Sequence, residues 1–530
     1  MKKTLSLVLS LCLVSSFFTG CGKDNNTDVS NSISKDELSP EKIGYYSTLE
    51  LPIDNNNTEI SIISDTSVEG INDSVVIKEL RRRTGLNVQV MQIPVAALQE
   101  KSKVLLASGD DMPDIFKGDI NTAQINEYGA QGAFEAVSDH IDELPNLKEI
   151  FYDKSEEYNT TGKLRDFMSP EGKLYIFPSY QINRDVNHGF LYRKDIFDKH
   201  GIKMWSNTDE FLDVLRQLKK LYPDSTPFAS KTTTYIFRDF GYNWGLNFTG
   251  PYYDEKDGNW KMSSTSKEYK EVLDLIKTMY NEKLIDPEFV TATQAAWTQK
   301  MTQPDKAFVT WDWIGRLEMF KEQTLQTVPS YDLRYAEPLK GKVITLSQIG
   351  AGPAVKKSKK SILAMKLLDY LLSESGARLM TMGIEGVTYT LDENGYAKYV
   401  GFEDSKSVGI TDLEEKYGMF ASNLHRRMDK KSAYYKFSER EQEAQDIMNK
   451  KEDGYWPTDP QPYFEDAEQK VLDKYMVAFD KSALEFSTKY VLSENYGDKE
   501  WNEWLAKAKS LGENEIIKTY NDAQARYDKL

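Results

Sequence analysis

The chain has 530 residues, 40% of them apolar and 12% aromatic, enough for sizeable cores and for about two to four domain-sized units. Its 83 acidic residues outnumber the 67 basic ones, for a net charge of −16. A surface of that sign repels phosphate backbones, and with no basic run carrying interleaved aromatics it makes nucleic acid an unexpected partner.

The first residues read as a secretory signal. Lys2 and Lys3 precede an apolar run from Leu5 to Phe18, too short for the roughly 20 residues that cross a bilayer. The closing Phe18-Thr19-Gly20-Cys21 resembles the lipobox of bacterial lipoproteins, in which the cysteine is lipidated and becomes the mature N-terminus. The expectation is a signal over 1–20 and a membrane-anchored extracellular protein, held through Cys21 by more than one acyl chain. The envelope stays open: a Gram-positive outer face is preferred, a periplasm is the alternative. An ordinary cleaved signal that leaves a lone thiol is the rival reading. Cys12 and Cys21 are the only cysteines, so neither a disulfide nor a thiolate metal site is expected in the folded part. Residues 21–57, rich in Asn, Ser, Asp and Lys, read as a flexible tether.

Folded pattern starts at Glu59. Ile60, Ile62 and Ile63 predict a buried strand, and a helix follows from about Asp73 to Gly85 with Val76, Ile77 and Leu80 on one face. Leu86, Val88 and Val90 alternate as a strand. A helix over 96–108 and a short strand at Asp114–Phe116 complete a strand-helix-strand-helix-strand pattern, which implies parallel βαβ units. Further on, 206–222 predicts a helix with Asn207 and Glu210 as a capping box. Helices are expected at 269–281 and 361–373, and strands at 307–313 and 343–350. The last third, from about Asp412, reads as mainly helical and ends in a helix over 513–527.

Enzyme signals are sparse. There is no G-x-S-x-G elbow and no phosphate-binding loop. The four histidines, His140, His188, His200 and His425, never fall at a metal-ligand spacing. Acidic pairs are too common in so acidic a chain to single out a glycosidase couple. The Asp/Asn/Gly stretches at 254–259 and 392–395 read as hairpin turns rather than calcium loops.

Several segments, in order, carry a family likeness. Ala107-Ser108-Gly109-Asp110-Asp111-Met112-Pro113-Asp114 resembles the "ASGDxPD" signature of family 1 extracellular solute-binding proteins, the capture subunits of ABC importers. Glu171-Gly172-Lys173-Leu174-Tyr175-Ile176-Phe177-Pro178 is similar to their "DGKxYxxP" segment. Leu191-Tyr192-Arg193-Lys194-Asp195, with His200-Gly201-Ile202, resembles their "YRKD…GI" lead into the second lobe. Gly383-Ile384-Glu385-Gly386-Val387-Thr388-Tyr389 is similar to the "GxEGxxY" of the large lipo-oligosaccharide branch. The resemblance implies an α/β, two-lobe periplasmic-binding-protein-like fold of type II, with ligand held in a cleft between hinge-connected lobes. It also implies an oligosaccharide cargo, ABC permease partners, no cofactor and no catalysis. One departure concerns metal: Pro223-Asp224-Ser225-Thr226-Pro227 stands where many large relatives carry a D-x-N-x-N-G calcium loop, so no structural calcium is expected. The lobes are expected over 58–182 with 340–400, and over 183–339 with 401–530, in a monomer.

Ligands of open α/β sheets bind beyond the carboxyl ends of the strands. Aromatic rings suit the apolar face of a sugar and polar groups suit its hydroxyl rim. Trp311 and Trp313, two apart on one strand, point to one side, towards either the cleft or the core. Trp244, Tyr389 and Trp456 are the other candidate rings; for Trp244, stacking and packing are both open. Lys117 and Asp119 follow the strand ending at Phe116, and Asn183 and Arg184 follow a first crossing at Ser179–Gln181. Trp205, Trp260, Trp297, Trp501 and Trp504 are expected to pack. The few bases foreseen at the cleft weigh against anionic cargo. A secreted carbohydrate-active enzyme, and a binder of peptides or acidic sugars, are the rival functions.

Overall fold

The computed structural model describes residues 49–530 apart from 67, 110, 182–183 and 406–407. The signal segment, Cys21, most of the tether and Asn183 lie outside the described residues.

Strands β1 (Glu59–Ser64), β2 (Asn87–Gln92) and β3 (Ile115–Phe116) pair in parallel, β1 in the middle. The helix between the first two, Val75–Thr84, starts where Ser74 Oγ accepts the Ile77 N–H at 3.4 Å. It stops at Gly85, whose φ of 71° suits glycine. A Cβ at Gly85 would come 1.9 Å from the Asp54 carbonyl oxygen, so no other residue fits the turn into β2.

Next come β4 (Ser179–Tyr180), β5 (His188–Arg193), β6 (Phe228–Ala229), the hairpin β7 (Pro251–Asp254) and β8 (Asn259–Met262), β9 (Val309–Trp313) and β10 (Leu333–Ala336). A second sheet has the order β10-β5-β9-β6, with β6 parallel to β9 and the other pairs antiparallel. The helix Thr208–Leu221 packs on it. Asn207 Oδ1 caps the Asp209 and Glu210 N–H groups, both at 3.0 Å. The expected reciprocal arm goes elsewhere: Glu210 accepts from the Ser206 N–H and O–H at 2.7 Å.

The remaining strands are short: β11 (Val343–Ile344), β12 (Ile349–Gly350), β13 (Ala354–Val355), the hairpin β14 (Tyr389–Leu391) and β15 (Ala397–Tyr399), and β16 (Tyr455–Trp456). One continuous strand over 343–350 was the expectation. It is instead two fragments with different partners, β11 on β16 and β12 on β4, because the chain crosses between two bodies there. β13 joins the first sheet antiparallel to β3. The closing helix spans Glu513–Tyr527, as the sequence predicts.

Two hydrophobic cores result, with no residue in common. The first takes residues from 60–177 and 349–428, the second from 186–343 and 444–516. The chain therefore crosses three times: after Phe177, after Val343 and after Met428. The expected boundary at 400 falls too early. Leu413, Tyr417, Met419 and Phe420 bury into the first core, so the third crossing follows them.

The Asp114 of the "ASGDxPD" segment is buried at the amino end of β3. Its Oδ2 accepts from the Ser61 N–H (2.9 Å) and Oγ–H (3.0 Å) and from Lys360 Nζ (2.9 Å), pinning β3 to β1. Asp114→Ala should lower the unfolding free energy by about 1–3 kcal/mol, the range for stranding buried partners of a charged acceptor. Urea melts followed by circular dichroism check this; an unchanged midpoint would contradict it.

Candidate functional site

The carboxyl ends of the parallel strands in both sheets abut the crossing segments. In the first lobe β3 runs into Lys117-Gly118-Asp119. Gly118 tucks so tightly that a Cβ would lie 2.5 Å from the Phe116 ring, and Ser102 Oγ accepts the Asp119 N–H at 3.1 Å. Lys117 is half-buried and Asp119 exposed. Burial and the nearby Arg426 push the Lys117 ammonium down to about 8, although Asp65 and Glu414 act the other way.

The third crossing lies beside this edge. The Arg426 carbonyl accepts the Tyr180 N–H of β4 at 2.7 Å, and the Gln348 carbonyl accepts the Gln181 N–H at 2.5 Å. Gly352 leads from β12 into β13 so closely that a Cβ would come 1.8 Å from the Phe177 carbonyl oxygen and 2.4 Å from Arg426 Nη1.

In the second lobe β9 ends at Asp312-Trp313 and β6 leads to Lys231. The buried Asp312 carboxylate accepts from Lys231 Nζ at 2.8 Å and Arg316 Nε at 2.7 Å. Both cations lie over the Trp297 ring, 5.5 and 5.4 Å from its centre. The helix Tyr235–Gly241 presents Tyr235, 45% exposed, with the Arg238 guanidinium 4.1 Å from its ring centre. Asp239 is buried beside it. Burial raises its carboxyl to about 7, and Arg238, hydrogen-bonded at 2.9 and 3.1 Å, offsets only part of that. Arg184, just past the first crossing, lies over Trp313 (5.3 Å) and Phe437 of the third crossing (5.4 Å). It also faces Glu441 at 3.7 Å.

A cavity of about 420 Å³ opens between the lobes at the crossings. Phe167 and Asp166 line it from the first lobe. Tyr242, Gly245, Leu246 and Trp456 line it from the second, and Ile349-Gly350-Ala351 from between. Asp166 Oδ1 accepts from the Gln461 N–H (3.1 Å) and the Tyr527 O–H (2.7 Å), so the lobes touch beside the cavity. Gly245 covers one face of Trp456, since a Cβ there would come 2.9 Å from the indole. Lys342 Nζ lies 5.0 Å from its ring centre. The buried indole N–H has no acceptor among the described residues.

Of the residues singled out from the sequence, Lys117, Asp119, Arg184, Trp313 and Trp456 stand at these edges or at the cavity. Three rings do not. Trp311 is 4% exposed and meets Phe190 edge-on at 5.0 Å in the second core. It does share a side with Trp313, but only the strand end emerges from between the helices. Trp244 is buried; its indole N–H donates to Glu271 at 2.8 Å and Lys340 covers its ring. Tyr389 is 0% exposed in the first core and accepts from Arg378 Nε at 2.6 Å. Bases do stand near both strand-end edges, Lys117 and Arg426 in the first lobe and Lys231, Arg238 and Arg316 in the second.

Residues the sequence reading missed include Arg426, Tyr235, Arg238 and Tyr242. The run His425-Arg426-Arg427 was the one available signal for the first. Tyr235 and Tyr242, seven apart across one short helix, were a signal for the others.

The family described as "Bacterial extracellular solute-binding protein" matches residues 76–394. Lipoprotein LipO of Bacillus subtilis (strain 168) is 22% identical over 471 residues, covering 84% of this chain and 88% of LipO. Among solved structures, an HMO-binding, ABC-transporter-associated solute-binding protein from Bifidobacterium longum infantis superposes with a TM-score of 0.69 at 18% identity. It covers 89% of this chain and 99% of that one. The alginate-binding protein AlgQ2, solved without calcium ion, gives 0.65 at 23% identity over 91% of this chain and all of AlgQ2. Both likenesses support the two-lobe α/β architecture.

The raised Asp239 carboxyl has a measurable consequence. The folded state holds a proton there that the unfolded chain releases near 3.8, so its contribution is full below that value and is lost as pH rises towards 7. Asp239→Asn should therefore gain thermal stability relative to the parent between pH 4 and pH 8. Melting curves across that range check it; a difference independent of pH would contradict it.

Proposed function

The chain belongs to the bacterial extracellular solute-binding protein family, and from that premise we propose that it captures an oligosaccharide and delivers it, chemically unchanged, to an ABC importer. It does so as a monomer tethered through a lipidated Cys21 at the outer face of the cell membrane. The lobes are residues 58–181 with 349–435, and 184–343 with 444–530. The relatives named above include a lipoprotein, an alginate binder and an HMO binder, which supports both the anchor and the cargo class.

The observation that carries the reading is the cavity at the crossings, walled from both lobes. A ligand there touches two bodies that are otherwise joined by three short segments, so its binding couples directly to hinge closure. The Trp456 indole N–H supplies a donor for a sugar hydroxyl, and Tyr242 and Phe167 supply apolar faces. Arg184, Trp313, Tyr235 and the Asp239–Arg238 pair extend the polar and aromatic lining along the second lobe. Asn183 and Asp119 complete the proposed rim.

Incubating the purified protein with a panel of oligosaccharides tests this. At a hundredfold excess over Kd, bound sugar adds about 2.7 kcal/mol. The melting temperature should rise by about 3 °C, and the sugar should be recovered intact. New reducing ends would establish the carbohydrate-active enzyme instead. Trp456→Phe keeps an aromatic ring and removes the donor. It should weaken sugar binding by about fivefold to tenfold while leaving the melting temperature of the free protein unchanged or higher. Calorimetric titration checks the first part; undiminished affinity would remove Trp456 from the site.

A further inference from the structure

Three arginines are buried among the described residues, Arg83, Arg193 and Arg426. Two hold a carboxylate: Arg83 reaches Glu79, and Arg193 reaches Asp195, each at 2.7 Å. Arg426 does not. It is 3% exposed, its Nε donates to the Leu424 carbonyl at 3.1 Å and its Nη2 to the Asn423 carbonyl at 2.6 Å. Its Nη1 has no acceptor among the described residues. Burial alone moves its ionisation, down to about 10, with no acid opposing the shift. An unpaired buried cation is a large penalty, which proteins avoid unless something else supplies the counter-charge.

The neighbours do not supply it. His425 is 6% exposed, its ring meets Phe420 edge-on at 5.4 Å, and its Nδ1 also lacks a partner. Burial, Arg426 and Lys117 hold it neutral, with its ionisation pushed down to about 3. Asp65 and Glu414 face Lys117, yet its ammonium stays depressed.

The place is the ligand side of the lobe. Arg426 Nη1 abuts Gly352, two residues beyond the Gly350 that lines the cavity, and Lys117, which directly follows β3, is near enough to feel its charge. The far end of the same strands is fully compensated by Asp114 and Lys360.

Building on the oligosaccharide reading, we infer that Arg426, flanked by Lys117 and His425, is a subsite for the carboxylate of an acidic sugar unit, so that the cargo is a uronate-containing saccharide. The planar guanidinium offers the two N–H groups of Nη1 to a carboxylate, the charge-assisted pairing that arginine favours. A net charge of −16 repels such a ligand at long range, so selectivity resides in this buried contact rather than in steering.

The test is calorimetric titration of the full chain with trimers of galacturonate, glucuronate and mannuronate, their methyl esters, and neutral trimers of equal length. At least one free acid should bind roughly tenfold or more tightly than its ester. Arg426→Gln and Lys117→Gln should each lower the affinity for that acid towards that of the ester and leave ester binding unchanged. Lys117→Gln decides the matter if Arg426→Gln disturbs the fold, because Lys117 is only half-buried. Equal affinity for acid and ester, or binding of neutral trimers alone, would overturn the acidic subsite and leave the oligosaccharide reading standing. Failure of every saccharide to bind would overturn both.

Discussion

Two hydrophobic cores that share no residue, joined by three short crossings, govern how this protein works. Each core is large enough to hold its lobe together by itself. The inter-lobe contacts beside the cavity include the two hydrogen bonds accepted by Asp166 and the Arg165 guanidinium 5.1 Å from the Tyr527 ring centre. Net, each hydrogen bond is worth roughly 0.5–1.5 kcal/mol. A ligand held at micromolar affinity brings about 8 kcal/mol. The balance between open and closed arrangements therefore lies within reach of what binding can supply, whereas melting either core does not.

The first sheet has two ends with opposite character. At the amino end of β3, Asp114 is saturated by Ser61 and Lys360 and serves stability. At the carboxyl end, Arg426 Nη1, His425 Nδ1 and, across the crossing, the Trp456 indole N–H are buried without partners. Each such atom forfeits a hydrogen bond that burial normally requires, so this end contributes less to stability than the Asp114 end. The second lobe is built differently: Asp312 is flanked by two cations over Trp297, a compensated network that positions the β9 edge.

Much of the fold was legible because its signals are local. Ser74 and Gly85 bracket the first helix, and the apolar stripe of Thr208–Leu221 marks the face it buries. What period 2 cannot tell is depth: it placed Trp311 and Trp313 on one side correctly but not the buried position of the first. The crossings were misread for a related reason. The run 343–350 has strand composition, yet its partners, β16 and β4, come from different regions of the chain, and no local pattern records that. Leu413, Tyr417, Met419 and Phe420 were likewise assigned to the wrong lobe, since an apolar residue reads the same in either core. Arg426 escaped notice because its meaning lies in an absence, the missing carboxylate, which only the assembled structure reveals. The family likeness was carried partly by such structural residues: Asp114 and Tyr389 mark the family while serving the core.

The central claim is that sugar bound between the lobes closes them. Small-angle X-ray scattering of the protein, free and saturated with a saccharide that raises its melting temperature, tests that directly. The radius of gyration should fall on saturation. An unchanged radius, with the same sugar shown to be bound, would contradict it.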